Sequence, residues 1–299
     1  MKVLVSFSGG KDSLASLIWA VNEFGNKNVE AVFCDTKWEH ELTYAHIDDV
    51  VKRLQVKLTV LTSEKYDGFV DLAKQKKRFP STKARFCTEE LKSKPMINYV
   101  LKQEDDLLII QGIRKDESLS RSLMEKQCTF FKYYFSPYGH GKDGKPKFHS
   151  YRKKEIVEWK KQYADDILRP VFDWTAQEVI DYILKNGLKP NPLYYMGFAR
   201  VGCMPCIMSR HQEIKSMIQH LPDAVERLKE AQNQVGNSSF FPPGYIPDTF
   251  CTGFDKKSGK KFPILEDVLN YINRHKDQMD LFEDKNTDNR CMSFYGLCE

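Results

Sequence analysis

A short segment near the start of the chain combines two glycines with hydroxyl, ammonium and carboxylate side chains, in the order Ser-Gly-Gly-Lys-Asp-Ser at residues 8–13. An apolar run precedes it and an amphipathic, helix-like pattern follows it. A glycine turn between a strand and a helix directs backbone N–H groups at the positive end of the helix, and such turns bind phosphate. The sequence therefore predicts an anion site, with the candidate binding residues Ser6, Ser8, Gly9, Gly10, Lys11, Asp12 and Ser13.

The charged pair in this segment suggests two kinds of chemistry. Lys11 is suited to neutralise phosphate charge, and Asp12 to hold Mg²⁺ or to cap the following helix. The spacing is neither that of the Walker loop nor Gly-x-Gly-x-x-Gly. The alternative is an ordinary strand-to-helix turn that is rich in glycine and serine.

Two further groups of polar residues follow predicted strands. Asp35 and Thr36 are suited to contact a ribose, an adenine or a phosphate, although a strand-end Asp also commonly caps the next helix. The second group contains two arginines that are suited to bidentate phosphate or sulfate contacts and an acid that can orient one of them. Its members are Gly112, Arg114, Glu117 and Arg121.

The cysteines point to metal or redox chemistry. Cys203 and Cys206 are separated by two residues, a spacing that lets both sulfurs reach one metal ion or cluster, and a redox dithiol uses the same spacing. Cys87 lies among basic residues, including Lys92, that would lower a thiol pKa or bind phosphate. Arg210, four residues after Cys206, is suited to contact a phosphate or to neutralise an anionic cluster.

Composition limits the class of protein. The 299 residues are 41% apolar, which is ample for a core, and no apolar run reaches the length of a membrane helix. Because Met1 and Lys2 lead directly into the first predicted strand, we expect no signal peptide and a cytoplasmic location. Eight cysteines in such a chain argue against a disulfide framework. The net charge of +5 does not by itself indicate nucleic acid.

The elements that must position these residues alternate between strands and helices. Short apolar runs at 2–7, 29–33, 57–61 and 107–113 alternate with amphipathic stretches at 14–24, 42–54, 69–76 and 90–102. This alternation predicts an α/β fold with a parallel sheet and helices on both faces, so that the loops after the strands share one edge. From about residue 151 the chain reads as mainly helical, with helices at 155–163, 176–185, 212–232 and 265–281, packed on the sheet. Segments 130–147 and 235–262 read as exposed loops or short hairpins.

Residues 123–161 form a basic and aromatic segment. It contains ten Lys or Arg against four Asp or Glu, interleaved with Phe130, Phe131, Tyr133, Tyr134, Phe148 and Tyr151. Such a composition suits contact with a single-stranded nucleic acid or a flipped base. A solvated loop followed by a helix explains it equally well.

Taken together, these motifs resemble the phosphoadenosine phosphosulfate (PAPS) reductase family, within the adenine-nucleotide alpha-hydrolase-like fold. The glycine loop is similar to that of the N-type ATP pyrophosphatases, or PP-loop proteins. The other matching segments are spread as far as Cys206 and comprise Phe33–Thr36, Arg85–Thr88 with Leu91, Lys92 and Pro95, Gly112–Ser118, Arg169–Thr175, Asn191–Tyr194, Gly197, Arg200, Gly202, Cys203 and Cys206.

The resemblance implies a five-stranded, largely parallel sheet in a nucleotide-binding domain at 1–210, with a helical region at 211–299 packed on it. It implies ATP or a sulfonucleotide as ligand, with Mg²⁺, and Lys11, Asp12 and Arg114 as catalytic residues.

The resemblance also implies a [4Fe–4S] cluster in members with paired cysteines at the Cys87 segment. Here Thr88 stands in place of the second cysteine, so one ligand must come from elsewhere. The expected set is Cys87, Cys203 and Cys206 with Cys291 or Cys298 from the tail. A set of Cys203, Cys206, Cys291 and Cys298 comes second, and four thiolates also suit zinc.

The C-terminus departs from the resemblance. Sulfonucleotide reductases end in Glu-Cys-Gly-Leu-His, whereas this chain ends Gly-Leu-Cys-Glu, so the cysteine follows the Gly-Leu pair and the histidine is missing. This favours ATP-dependent adenylation and sulfur transfer, with a sulfur donor and an acceptor that includes DNA or RNA. The alternative is sulfite release from a sulfonucleotide, with Cys298 as nucleophile and a thioredoxin-like electron donor.

Overall fold

The computed structural model describes residues 1–236, 238–255 and 259–274. The strands in chain order are β1 (Lys2–Ser6), β2 (Val29–Cys34), β3 (Lys57–Leu61), β4 (Leu107–Gln111), β5 (Gln127–Thr129), β6 (Gly139–His140), β7 (Pro146–Lys147), β8 (Asp165–Leu168), β9 (Gly253–Asp255) and β10 (Lys260–Phe262). The helices are α1 (Lys11–Phe24), α2 (Glu41–Leu54), α3 (Phe69–Gln75), α4 (Phe86–Thr88), α5 (Lys94–Val100), α6 (Leu119–Ser122), α7 (Lys132–Phe135), α8 (Lys153–Trp159), α9 (Ala176–Lys185), α10 (His211–His220), α11 (Pro222–Val235) and α12 (Leu265–Arg274).

Within the described residues, six strands form the central sheet in the order β3-β2-β1-β4-β8-β5. The first five are parallel, which confirms the parallel α/β sheet, and β5 adds an antiparallel edge strand that the sequence did not predict. The chain builds outward from β1 in one direction and then restarts at β4 on its other side. The gap between the carboxyl ends of β1 and β4 is therefore the topological switch point, where ligands bind in sheets of this kind.

Helices cover both faces of the sheet. On one face α1, α2 and α9 pack against the strands through buried residues such as Leu17, Ile47 and Ile183. On the other face α5 and α8 contribute Met96 and Ile156 to a second cluster. Strands β1 and β2 are covered on both sides, which explains why their sequences are continuous apolar runs without alternation.

The helical region shares a core with the loops of the sheet. Trp38 and Phe69, which follow β2 and β3, are buried together with Leu228 of α11 and Val268 of α12. The boundary at residue 210 stays a prediction, and residues from both sides of it pack into this one cluster.

The predicted helix at 176–185 is confirmed as α9, whereas the single helix predicted at 212–232 is wrong. Two helices, α10 and α11, meet there, because Pro222 lacks an N–H and begins a new helix after Leu221. Of the helix predicted at 265–281, residues 265–274 form α12 and the remainder lies outside the described residues.

The segment at 130–147 is only in part the exposed loop or hairpin that the sequence predicted. Strands β6 and β7 do form a hairpin. Phe130, Phe131 and Tyr134, however, are buried, and the rings of the two phenylalanines meet edge to face with centroids 5.0 Å apart. In the described part of the chain, no helix has both the length and the apolar character needed to cross a bilayer.

Candidate functional site

The glycine loop lies at the carboxyl end of β1, with its shape fixed by its own polar groups. Gly9 has φ of +82°, a conformation that favours glycine, and Gly10 caps α1 with an extended backbone. Ser13 Oγ accepts from the Ser8 amide at 3.3 Å and donates to the Gly10 carbonyl at 3.0 Å. The loop and the first turn of α1 thus form one preformed unit at the switch point.

The end of β4 approaches this unit closely. A Cβ atom added to Gly112 would lie 2.4 Å from the Ser13 amide nitrogen, so only glycine allows the backbone to pass there. This contact places the segment after Gly112 beside the glycine loop, as the sequence predicted from the strand ends.

Asp12 forms a buried ion pair with Arg114. Arg114 Nε donates to Asp12 Oδ1 at 2.6 Å, and Lys11 Nζ lies 3.3 Å from Asp12 Oδ2. Gly10, rather than a side chain, caps α1, so Asp12 does not act as the cap. Its carboxylate orients Arg114 and Lys11, the two cations that the sequence proposed for phosphate contact.

Glu117 holds the second arginine. Its carboxylate forms an ion pair with the guanidinium of Arg121, which is buried, and also accepts from the Arg114 amide at 3.2 Å. The Gly112–Arg121 segment therefore presents two carboxylate-anchored guanidinium groups next to the glycine loop.

At the carboxyl end of β2, Asp35 and Thr36 are joined by two residues that the sequence analysis did not single out. Asp35 Oδ1 accepts from the Tyr44 hydroxyl at 2.6 Å, and Thr36 Oγ1 donates to Glu39 Oε1 at 2.8 Å. Burial, with the nearby Asp35 carboxylate, raises the pKa of Tyr44 well above its ordinary value, so it remains a donor. Glu39 is buried, and its position three residues after Thr36 is the signal that could have identified it.

A cleft of about 290 Å³ lies at the carboxyl ends of β1 and β2. Its lining includes Ser6, Ser8, Glu39, Lys92 and Gly202. The structure thus brings together residues from the glycine loop, the β2 end, the Cys87 segment and the Cys203 turn.

A second cleft, of about 420 Å³, contains the predicted thiols. Cys87, Cys203 and Cys206 all line it, and Lys92 lines both clefts. The helix that carries Lys92 runs from α4 through a wider π turn, Glu89–Ser93, into α5. The second cleft is therefore adjacent to the first.

The described residues supply thiol donors of the type that suits an iron–sulfur cluster or zinc, but three such donors do not converge on one point among them. No group of three or more His, Cys, Asp or Glu side chains within the described ranges is close enough to hold a metal ion. Cys203 Sγ instead lies 3.5 Å from Thr36 Oγ1 and 3.7 Å from Glu39 Oε1. Cys291 and Cys298 lie outside the described residues.

Arg210 is exposed and lines neither cleft. Its backbone begins α10, where its amide donates to Glu213 at 3.0 Å. The contact of its side chain with a phosphate or an anionic cluster stays a prediction.

Arg227 of α11 fixes the Cys203 turn, and sequence reasoning missed it. Its guanidinium donates to the carbonyls of Glu39 at 2.9 Å and of Trp38 at 3.3 Å, and also to that of Met204. It stacks on Trp38, 4.5 Å from the ring centroid. A lone arginine on an amphipathic helix carries no sequence signal for such a role.

The parallel sheet, with the glycine loop at its switch point and a cleft at the ends of β1 and β2, defines an α/β protein of the phosphate-binding class. The model of the phosphoadenosine phosphosulfate reductase domain matches residues 2–209. The chain belongs to this family.

The chain resembles several known proteins at low sequence identity. A 37.8 kDa protein from the gpa 5′ region of Escherichia phage 186 is 29% identical and aligns over 99% of this chain and 96% of its own. Protein MJ0066 of Methanocaldococcus jannaschii is 28% identical over 82% of this chain but only 44% of its own length. Among solved structures, the PAPS reductase of Candida auris matches 68% of this chain and 81% of its own with a TM-score of 0.45 and 14% identity.

Proposed function

We propose that the protein is an ATP-dependent enzyme that adenylates an acceptor and prepares it for sulfur transfer. The observation that carries this proposal is the preformed glycine loop at the switch point, flanked by the anchored cations Lys11 and Arg114. Family membership supports an adenine nucleotide as ligand. The order Gly-Leu-Cys at residues 296–298, where the reductases have Cys-Gly-Leu, favours ATP over a sulfonucleotide.

In the proposed reaction, an acceptor oxygen attacks the α-phosphate of ATP, and the bond to the β-phosphate breaks to release pyrophosphate. A sulfur nucleophile then displaces AMP from the adenylated acceptor. Lys11, Arg114 and backbone N–H groups of the loop would stabilise negative charge on the phosphates, and Mg²⁺ would share that charge. Asp12 contributes by holding both cations in place before the nucleotide arrives.

Calorimetry on anaerobically purified protein tests this proposal by comparing Mg-ATP, adenylyl sulfate and 3′-phosphoadenylyl sulfate. We expect Mg-ATP to bind best, and Lys11→Ala to weaken it tenfold or more by removing the ammonium group from the loop. Lys52→Ala, which removes an exposed lysine from α2, is the matched control. Preference for a sulfonucleotide would contradict the proposal.

A sulfonucleotide preference would instead support the reductase alternative. In that reaction a tail thiolate attacks the sulfonate sulfur, the nucleotide leaves, and external thiols from a thioredoxin-like donor release sulfite. Cys298→Ser should then abolish sulfite release, and unchanged turnover would exclude Cys298 as the nucleophile.

We further propose that the thiol cleft holds a metal centre, through Cys87, Cys203 and Cys206 with a tail cysteine as fourth ligand. The shared lining of one cleft by the three thiols supports this proposal. Iron, sulfide and zinc content after anaerobic purification tests it, together with the absorption spectrum. Cys203→Ser should lose the metal, whereas Cys128→Ser, on β5 away from this cleft, should retain it. Equal metal content in both variants would contradict the assignment.

A nucleic acid is the acceptor or partner that the basic segment favours. Phe135, Tyr138 and Phe148 are exposed, and Lys153 Nζ lies 5.4 Å from the Phe148 ring centroid. Phe130, Phe131 and Tyr134 are buried and cannot stack on bases, so the stacking surface is smaller than the sequence suggested.

Fluorescence anisotropy with labelled single-stranded DNA and RNA at several salt concentrations tests this second proposal. We expect a steep salt dependence that decreases when Lys142, Lys145 and Lys147 of the hairpin are replaced by Gln. Replacing Lys27, Lys185 and Lys189, remote in sequence from this segment, is the charge-matched control. Salt-independent or absent binding would rule out the nucleic-acid partner.

A further inference from the structure

A tyrosine hydroxyl accepts a hydrogen bond from the first backbone amide of α1, the helix that follows the glycine loop. The backbone N–H of Lys11 donates to Tyr194 Oη at 3.0 Å, and Lys11 Nζ lies 5.2 Å from the centroid of the same ring. One aromatic side chain therefore contacts both the amide and the ammonium that face an incoming phosphate.

Tyr194 is held there by a turn that is attached to the glycine loop. Asn191 is buried, and its Nδ2 lies 3.4 Å from the Gly9 carbonyl and 3.3 Å from Thr43 Oγ1. The buried Leu193 fixes the turn between Asn191 and Tyr194 in the core. The position of the hydroxyl thus follows from the packing of the turn.

We infer that the Tyr194 hydroxyl occupies a phosphate position of the loop and that a bound phosphate group displaces it. This inference rests on the proposed function. A phosphate oxygen accepts charge-assisted hydrogen bonds that are about twice as strong as those to a neutral hydroxyl. The phosphate therefore replaces the Tyr194 hydroxyl as the acceptor of the Lys11 amide. The Ser6 hydroxyl gives independent support for a polar ligand in the adjoining cleft. It is buried, it lines the adjoining cleft, and it has no hydrogen-bond partner within the described residues.

Calorimetry with magnesium pyrophosphate on the full chain tests the inference. Tyr194→Phe keeps the ring over Lys11 and removes the competing hydroxyl, so we expect binding about two- to tenfold tighter, the equivalent of one neutral hydrogen bond. Tyr194→Ala also removes the ring and should bind more weakly than Tyr194→Phe. Tyr195→Phe changes the neighbouring, exposed ring of the same turn and should leave the affinity unchanged.

Nitration of the wild-type protein with tetranitromethane provides a second measurement that needs no variant. If pyrophosphate displaces the hydroxyl, modification of Tyr194 increases relative to Tyr195 when the ligand is present, as read by peptide mass spectrometry. Unchanged or reduced modification would overturn the inference.

The outcomes separate this inference from the proposed function. If the wild type binds pyrophosphate and Tyr194→Phe binds it no more tightly, the inference is overturned and the proposed function is not. Failure of the folded wild-type protein to bind either pyrophosphate or Mg-ATP overturns both. Weaker binding by Tyr194→Phe would instead make the hydroxyl a donor to the ligand, contrary to displacement.

Discussion

At the scale of single residues, the site depends on charges that are paired before any ligand binds. Asp12 is completely buried and Arg114 nearly so, and a carboxylate 2.6 Å from the guanidinium compensates for the cost of burying it. The pairing also explains how the candidate site can hold several cations close together in a folded protein.

Asp12→Ala should therefore destabilise the protein as well as weaken nucleotide binding. Removal of one member of a buried ion pair costs about 3–5 kcal/mol, because the remaining charge loses its partner. Chemical denaturation measures this loss. Asp48→Ala, which breaks an exposed pair with Lys52 on α2, should cost less than about 1 kcal/mol. Equal losses in the two variants would contradict a structural role for the Asp12–Arg114 pair.

At the scale of elements, the strand–helix junctions position the site. Gly112→Ala would place a methyl group 2.4 Å from the Ser13 amide nitrogen, so β4 or α1 must shift. Such overpacking costs about 1–3 kcal/mol, and the shift should weaken Mg-ATP binding as well. Thermal unfolding and calorimetry would measure both effects. Gly139→Ala is the control and should change stability little, because a Cβ added there meets nothing within 4 Å. An equally small loss of stability in Gly112→Ala would refute the close approach of the two backbones.

Helix α2 contains a buried histidine, His46, that makes the free energy of unfolding of the protein depend on pH. Burial lowers the pKa of His46 from 6.5 to about 4. The unfolded chain therefore binds more protons between these values, and the contribution to stability is present above pH 6.5 and lost as the pH falls towards 4. The loss is at most about 3 kcal/mol. We expect the free energy of unfolding of His46→Gln to fall less than that of the wild type over this range, whereas the exposed His220→Gln should follow the wild type.

The sequence could predict those elements whose apolar residues are continuous or periodic. Strands β1 to β4 and helix α9 were predicted because both patterns are local. Strand β8 was missed because it begins with two acids, Asp165 and Asp166, although Asp165 is buried and accepts from the Phe131 amide at 2.7 Å. Arg227 was missed because its role depends on carbonyls that are distant in the chain, whereas Glu39 had a local signal, its position three residues after Thr36, that was not used. Phe130 and Phe131, which composition had placed on the surface, are buried in the cluster that contains Ile156 and Trp159.

At the scale of the whole molecule, the loops of the central sheet and the helical region stabilise one another. Trp38 and Phe69 are buried against α11 and α12, and Arg227 binds three carbonyls around the Cys203 turn. The site therefore depends on a region beyond the residues that the family model matches. This predicts that the two regions fold as one cooperative unit.

A chain that ends after residue 210 tests this prediction. It would expose Trp38 and Phe69 and remove Arg227, so we expect aggregation or a compact state without fixed tertiary structure, measured by near-ultraviolet circular dichroism. A chain that ends after residue 274 keeps the described contacts of this core and should still unfold cooperatively. Cooperative unfolding of the shorter chain would instead show that the domain boundary expected at residue 210 separates two independent folding units.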